Sequence, residues 1–550
     1  MDVDLGETCR NEKQAVIFIH FIAEIYKANL VEQVKSSELF SLLIDSSTDV
    51  AVIDEEIMYL RLIENGRPVT KYFSIQALER GNAEGILNAI DHAFEKELNF
   101  EHNQWCEKVV GFGSDGASVM VGHRGGVSAL IKRDIPHLMS IHCVAHRLEL
   151  GIKGTIKDVV YHGVVDQLLL NLYKFYHNSP LNWENLIQTG TAIGVKVLKP
   201  VNIKGTRWIA HHENALKAVT QDWLCLVSHL EQVAIDGQTA DAKAKASGFV
   251  RKLIALRFVH FAHFLLDLYK VLSRISLEFQ KNDTSLESVT QKLEVTIAAI
   301  RSLIATPGHM ESEFLRNVRA GVMYKGKELY NRPTGFRQVQ NDRQAVLQSC
   351  ITHLQQRFKS FQDNDILDAM KVFEFRSWPL HRDRLMPFGN DKLQLLVDHF
   401  QNLLLKQNCD IPAILLEWQE LKIHVSQRVT VDPDLAYLDL WQRVILEESV
   451  RFTNILQVLK IVLLVPIHTS ECERGFSLMA RVKNDWRANL STDALNNLMT
   501  IRLCGPGVAN IAHFDPIPAI QRWFVAGPRA RRLNQKPYGP RMMEDSDEED

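Results

Sequence analysis

Two short apolar stretches that each run into an aspartate constrain this chain more than any other feature. The first, Leu39 followed by FSLLID, is a continuous apolar run suited to a strand buried on both faces, and it ends at Asp45 in the small polar cluster Ser46, Ser47, Thr48 and Asp49. The second, Val109-Val110-Gly111-Phe112-Gly113, delivers Ser114-Asp115-Gly116-Ala117. Between them, apolar runs over Ile57–Ile63 and Val69–Leu78 flank Glu64-Asn65-Gly66-Arg67-Pro68. Asn65-Gly66 supplies the positive φ that a hairpin turn needs. Ile86, Leu87, Ile90, Ala93, Phe94 and Leu98 then recur at helical spacing, so a helix separates the hairpin from the fourth strand.

A helix ending near Arg133, a break at Pro136, a fifth strand over Leu138–Cys143 and a helix from Val144 complete the order β-β-β-α-β-α-β-α. That order is the ribonuclease-H-like pattern, an α/β fold with a mixed sheet flanked by helices. From about Val159 the signal changes to long amphipathic helices, such as Phe249–Phe279 and Leu286–Ile304, separated by the polar break Lys281-Asn282-Asp283-Thr284. The expected division is an N-terminal helical segment (1–38), the first part of the core (39–158), a large all-helical insertion (159–432), a helical C-terminal segment that completes the core (433–505) and a tail (506–550). The C-terminal segment carries apolar helices at Val444–Val465 and Leu495–Leu503, and beyond residue 527 the tail is rich in Pro, Gly and charge, a composition that predicts disorder.

With 550 residues, 46% hydrophobic and 23% charged, the chain can bury a large core. No apolar run approaches the roughly 20 residues of a membrane span and Met1–Arg10 lacks a secretory stretch, so the expectation is a soluble intracellular protein with no membrane partner. Eight scattered cysteines without a CxxC pair predict reduced thiols and no zinc. A formal net charge of -3 confines any DNA contact to local patches.

Phosphodiester cleavage can be driven by two divalent ions about 3.5–4 Å apart, and hard Mg²⁺ or Mn²⁺ needs only a few carboxylates and several waters. Asp45 and Asp115 end strands that are neighbours in the proposed sheet, on the same side, within reach of shared metal. A single aspartate after a strand is far more often a turn former or a helix cap. Two at topologically matched ends point to chemistry. Asp49 competes as a ligand in the first motif but fits a capping role better.

The motifs Asp45-Ser-Ser-Thr-Asp49, Gly113-Ser-Asp115-Gly-Ala-Ser-Val-Met120, His142-Cys143-Val-Ala-His146-Arg-Leu-Glu-Leu150, Thr206-Arg207-Trp208 and Ser470-Glu-Cys-Glu473-Arg474-Gly-Phe476-Ser477, in that order, resemble the signatures of hAT-superfamily transposases. The likeness is strongest to the vertebrate zinc-finger-associated, transposon-derived members. It implies a DDE triad of Asp45, Asp115 and Glu473, with Glu473 on a helix after the insertion and Glu471 its close competitor. It also implies DNA contacts from Cys143, His146, Arg207 and Trp208. Packing in the sheet is the competing reading for Cys143, and core packing of the indole is the competing reading for Trp208. Lys199, Lys204 and Arg207 would meet phosphates if their loop faces DNA.

By the same resemblance, Leu435–Leu503 is a dimerisation region in which Leu456, Leu459, Val462 and Leu463 form a helical stripe, and Arg529, Arg531 and Arg532 fit nuclear import. The expected partners are therefore DNA, a second copy or a higher homo-oligomer, and chromatin proteins. The family's tryptophan two residues after the first aspartate is Ser47 here, and only Cys9 precedes the core where a BED-type zinc finger would stand. Both departures favour a domesticated derivative, so two functions follow: metal-dependent DNA strand cleavage and transfer, or nuclear DNA and chromatin binding without cleavage.

Overall fold

A computed structural model describes residues 12–205, 207–318, 322–330 and 334–526. The apolar runs form five strands, β1 (Phe40–Thr48), β2 (Asp54–Glu64), β3 (Arg67–Ala77), β4 (Val109–Ser114) and β5 (Met139–His142). They lie side by side in the order β3-β2-β1-β4-β5. β1, β2 and β3 are antiparallel neighbours, whereas β4 runs parallel to β1 and β5 parallel to β4. The protein is thus a mixed α/β structure with a central mixed sheet and mostly helical surroundings. Asn65 (φ 49) and Gly66 (φ 75) make the β2–β3 turn in the left-handed region, as their sequence predicts.

Side chains alternate across the sheet. Leu42, Ile44, Met58, Leu60 and Phe73 pack on one face against Ile86, Ile90 and Phe94 of the Ala83–Leu98 helix. Leu43, Ile57, Tyr59, Tyr72 and Ile75 face the other way, against Cys472, Met479, Leu495 and Met499. These last residues belong to the helices Ser470–Val482 and Thr492–Cys504, so the far end of the chain covers the strands of its beginning. Gly475 permits the close approach, since a Cβ there would stand 2.3 Å from Ile57 Cδ1 and 2.6 Å from the Tyr59 hydroxyl. Tyr72 donates to Asn496 Oδ1 at 2.8 Å across the same seam.

From Val160 to Val431 the described residues are mostly helical, interrupted by an irregular loop between the helices Pro180–Ile193 and Trp208–Gln221, by shorter turns and by a small hairpin of Met323–Tyr324 and Lys327–Glu328. Several boundaries differ from the periodicity. β1 continues to Thr48, which puts Asp45 inside the strand rather than at its end. The helix expected near Arg133 is two short ones, Ser118–Val121 and Val127–Asp134. Phe249–Phe279 is broken into Ala240–Leu253 and Leu256–Glu278, because Ala255 is extended and the backbone beside it pairs with Tyr330. Val444–Val465 is likewise two helices, Tyr437–Glu447 and Ile455–Leu464. Glu417 accepts the amides of Asn454 and Ile455 at 2.9 and 2.8 Å and so caps the second as a fresh start.

The expectation about membrane-length runs also needs correcting, since Gln14–Ser36 is long and apolar enough to cross a bilayer by composition. Here its helix, Glu12–Ser36, packs on Thr492–Cys504 and Ile517–Val525, and Lys27 and Glu24 pair with Glu97 and Arg522. Arg529, Arg531 and Arg532 lie outside the described residues.

One buried ion cluster clips the two ends of the chain together. Lys483, just past the Ser470–Val482 helix, bonds the carboxylate of Asp49 and lies 3.4 Å from Glu55 Oε1, with all three side chains 1% exposed or less. Removing one partner of such a cluster strands the other charges away from water. Lys483→Met is expected to lower unfolding free energy in urea by about 3 kcal/mol. Adding Asp49→Asn and Glu55→Gln should recover most of that loss. A loss below about 1 kcal/mol would mean that the three charges are hydrated.

Candidate carboxylate site

The parallel pairing of β1 with β4 sets the site. Leu43 stands opposite Gly113, and two residues further along each chain come Asp45 and Asp115. Asp45 shares the sheet face of Leu43, the face on which the Ser470–Val482 helix lies. The first turn of that helix carries Glu471 and Glu473.

Electrostatics show which acids lie within range of Asp45. Burial, then the negative charges of Asp115 and Glu473, push the Asp45 carboxyl up to about 8, against a single helpful hydrogen bond from the Ser46 amide at 3.1 Å. Glu473 is also raised by burial, and Arg207 opposes that rise with its charge and a hydrogen bond, Nε to Oε2 at 3.4 Å. Asp115 spends one oxygen on its own turn, accepting the Ala117 amide at 3.0 Å. Glu471 points elsewhere: it is buried against His468 and receives Arg474 at 2.7 Å. Asp49 is the turn former that its position suggests, accepting from the amides of Ala51 and Ile53 besides Lys483.

Two further buried acids adjoin this group. Glu56, fully buried on β2 opposite Ser46, accepts the Ser46 hydroxyl at 2.5 Å and leaves Oε1 without a hydrogen-bond partner among the described residues. Burial, then the charges of Asp45 and Asp115, outweigh that hydrogen bond and push it up to about 8. Glu149, in the His-Arg-Leu-Glu stretch, is pushed up to about 8 by burial and by Glu473, although it accepts the Ile209 amide at 3.2 Å. That bond anchors the first turn of the Trp208–Gln221 helix and with it the position of Arg207. Sequence reasoning assigned neither acid. The signal available was a glutamate inside an apolar strand for Glu56 and one on the apolar side of a helix for Glu149, both costly unless the local field compensates.

The residues expected to contact DNA divide. Arg207 is exposed beside Glu473, and Lys199 and Lys204 are exposed on the same loop. His146 is half-buried, its basicity lowered by burial, with its ring 5.6 Å from that of His142. Cys143 and Trp208 face inward in this conformation. Cys143 is buried, and its sulfur accepts the Thr469 amide at 3.3 Å, tying the end of β5 to the residue that opens the Glu473 helix. Trp208 is 8% exposed and packs against His212 in a tilted arrangement with ring centroids 3.6 Å apart. The packing readings fit both side chains.

Two family models match the chain. One, described as the hAT family C-terminal dimerisation region, covers residues 419–503, and the other, described as ZMYM1/FAM200, RNase-like domain, covers residues 12–126. Together they take in the strands that bear Asp45 and Asp115 and the helix that bears Glu473. These two matches support a transposase-derived protein of the hAT family and of the ZMYM/FAM200 type, and the match to the dimerisation region supports self-association.

The oxygen donors are of the kind that Mg²⁺ and Mn²⁺ accept, and the repulsion that raises Asp45 is what a divalent ion would relieve. In donor chemistry the residues therefore fit such an ion. Among the described residues, however, no three His, Cys, Asp or Glu side chains are grouped closely enough to surround one ion, and Glu473 is turned to Arg207. The repulsion has a measurable sign. An unfolded aspartate ionises near about 3.9, whereas folded Asp45 keeps its proton to about 8. Between those values the folded state holds the extra proton, so its contribution to stability falls as pH rises. Asp45→Asn should shrink the drop in urea midpoint between pH 5 and pH 8. An equal drop in both proteins would show that Asp45 ionises normally.

Proposed function

We propose that this chain retains the arrangement of a DNA strand-cleaving and strand-transferring enzyme. Its ribonuclease-H-like core would be built from residues 39–158 and 433–505 and interrupted by the helical insertion 159–432, with Asp45, Asp115 and Glu473 as the acidic triad. The observation that carries this reading is that Asp45, on β1, feels the charges of two acids from distant parts of the chain, Asp115 and Glu473. Buried acids that raise one another's proton affinity are not placed together for stability, so their proximity points to chemistry. Mg²⁺ or Mn²⁺ held by the three would supply activation of the attacking oxygen and stabilisation of the leaving one.

The chain's own residues would do the rest. Asp45 and Asp115 present their oxygens from adjacent parallel strands, a rigid support. Arg207, Lys199 and Lys204 offer an exposed cationic loop to the DNA backbone. An incoming phosphate competes with Glu473 for the Arg207 guanidinium, which would release Glu473 towards Asp45. His146 borders the pocket as a neutral imidazole, close enough to feel Asp115. The protein would act in the nucleus, as a homodimer or higher homo-oligomer, with chromatin proteins among its partners.

A second reading, a nuclear DNA- and chromatin-binding dimer without cleavage, is favoured by the Arg207–Glu473 pair, which occupies the third acid, and by Ser47 in place of an aromatic. One experiment separates the two. Purified full-length chain is incubated with supercoiled DNA in Mg²⁺ or Mn²⁺, beside Asp115→Asn. Nicking that needs the ion and falls by at least about a hundredfold in the variant is expected, the scale of losing a group that acts in the transition state. Salt-sensitive DNA binding with no nicking in either ion would hand the site to the second reading.

A further inference from the structure

The helices Val144–Asp158 and Gly335–Gln362 pack together, and cations gather along their seam. Arg147 reaches across it: its Nε donates to the His142 carbonyl at 3.1 Å, and its Nη1 donates to the Arg357 carbonyl at 2.7 Å and to Ser360 Oγ at 2.8 Å. Neutral oxygens thus fix this guanidinium beside Arg357. Its Nη2 donates to no group among the described residues, so that end of the fork stays free. Lys153 stands about two turns beyond His146 on the same face of its helix. Both Lys153 and Arg357 are exposed.

These charges act on one another. Burial, then Arg147, His146 and Arg357, push His142 down to about 3. Burial lowers Arg147 to about 10, and Arg357 adds to that drop against the help of Cys143. His146 is lowered by burial and by Lys153 and Arg357, which outweigh the attraction of Asp115. Among the described residues no carboxylate forms an ion pair with Arg147, Lys153 or Arg357. Glu149, the acid whose charge would favour Lys153, is the buried one pushed up to about 8. Crowding unneutralised cations brings no stability, and a surface cluster of one sign attracts ligands of the other.

The seam adjoins the acids. The His142 ring lies against the turn that carries Asp115, since a Cβ on Gly116 would stand 2.1 Å from His142 Cε1. His142 Nε2 has no hydrogen-bond partner among the described residues. We infer that Arg147, Lys153 and Arg357 form a phosphate subsite for the DNA backbone, through which the helix Gly335–Gln362 holds the strand that passes Asp115. The subsite is additional to the loop of Lys199, Lys204 and Arg207. Arg147, preorganised by its carbonyl partners, offers a phosphate the free end of its fork, while Lys153 and Arg357 add charge. An acidic peptide could neutralise the same cations, but the contact of His142 with the Asp115 turn puts the seam beside a strand held at the acids. The inference rests on the proposed reading of the chain as a DNA-binding protein and holds whether or not the carboxylates cut.

The test is fluorescence anisotropy of a labelled DNA duplex, titrated with the full chain over a range of KCl concentrations. Lys153→Gln/Arg357→Gln is compared with wild type, with Arg207→Gln and with Arg251→Gln/Lys252→Gln, an exposed pair of equal charge in the last turn of the Ala240–Leu253 helix. Arg147 is left intact because it ties the two helices together. Both seam side chains are exposed and unpaired, so the thermal midpoint should match wild type. The dissociation constant is expected to rise about tenfold in the seam variant, with the salt slope reduced by about two, and neither should change in the Arg251/Lys252 pair. Unchanged affinity and slope in the seam variant would overturn the inference, and the DNA reading would stand as long as wild type binds. A wild type that binds no duplex even at low salt would overturn both. An equal loss in the Arg251/Lys252 pair would reduce the effect to net charge and overturn the inference alone. So would unaltered duplex binding with a selective loss of binding to poly-glutamate, which would make the seam a surface for an acidic protein.

Discussion

Everything at the candidate site depends on the parallel pairing of β1 with β4. It brings together two aspartates that the chain separates by a hairpin and a helix, and it does so at backbone precision, since ladder hydrogen bonds fix which residues stand abreast. The pairing is apolar in origin: Leu42, Ile44 and Phe112 are wholly buried on the face covered by the Ala83–Leu98 helix. Hydrophobic burial thus provides the free energy that holds like charges close, and the cost is visible in carboxyls pushed up to about 8 at Asp45 and Glu56. Opening the sheet would relieve the repulsion only by exposing that apolar surface.

The third acid arrives by a different route, and three local contacts govern its placement. The linker before its helix runs over β4 so closely that a Cβ on Gly111 would stand 2.6 Å from Pro466. Cys143 then receives the Thr469 amide at the helix start, and Gly475 lets the helix settle on Ile57 and Tyr59. Glu149 adds an indirect control, because it holds the turn from which Arg207 reaches Glu473. Residues whose motif positions suggest contact with a ligand can therefore serve the site from behind.

Much of the sheet is legible in the sequence because its signals are local. Asn65-Gly66 announces a turn through backbone geometry, and runs such as FSLLID announce buried strands through composition. Asp45 and Asp115 follow from strand position, whereas Glu473 follows only from family resemblance, since nothing near it indicates where its helix docks. What escapes is what depends on distant partners. Glu56 and Glu149 look like ordinary strand and helix residues until the fold buries them. The break at Ala255 is equally non-local, because Tyr330 makes it.

The clasp between Lys483 and Glu55 spans 428 positions along the chain, and that span bears on how the protein is made. A ribosome adding roughly 5–20 residues per second would finish β1–β3 some tens of seconds before the helices that cover them emerge. During that interval Leu43, Ile57, Tyr59, Tyr72 and Ile75 would form a bare apolar face on a nascent antiparallel sheet. Such a face invites chaperones or wrong partners. Biogenesis of this protein is therefore a race between its own late-arriving C-terminal helices and anything else able to cover the sheet.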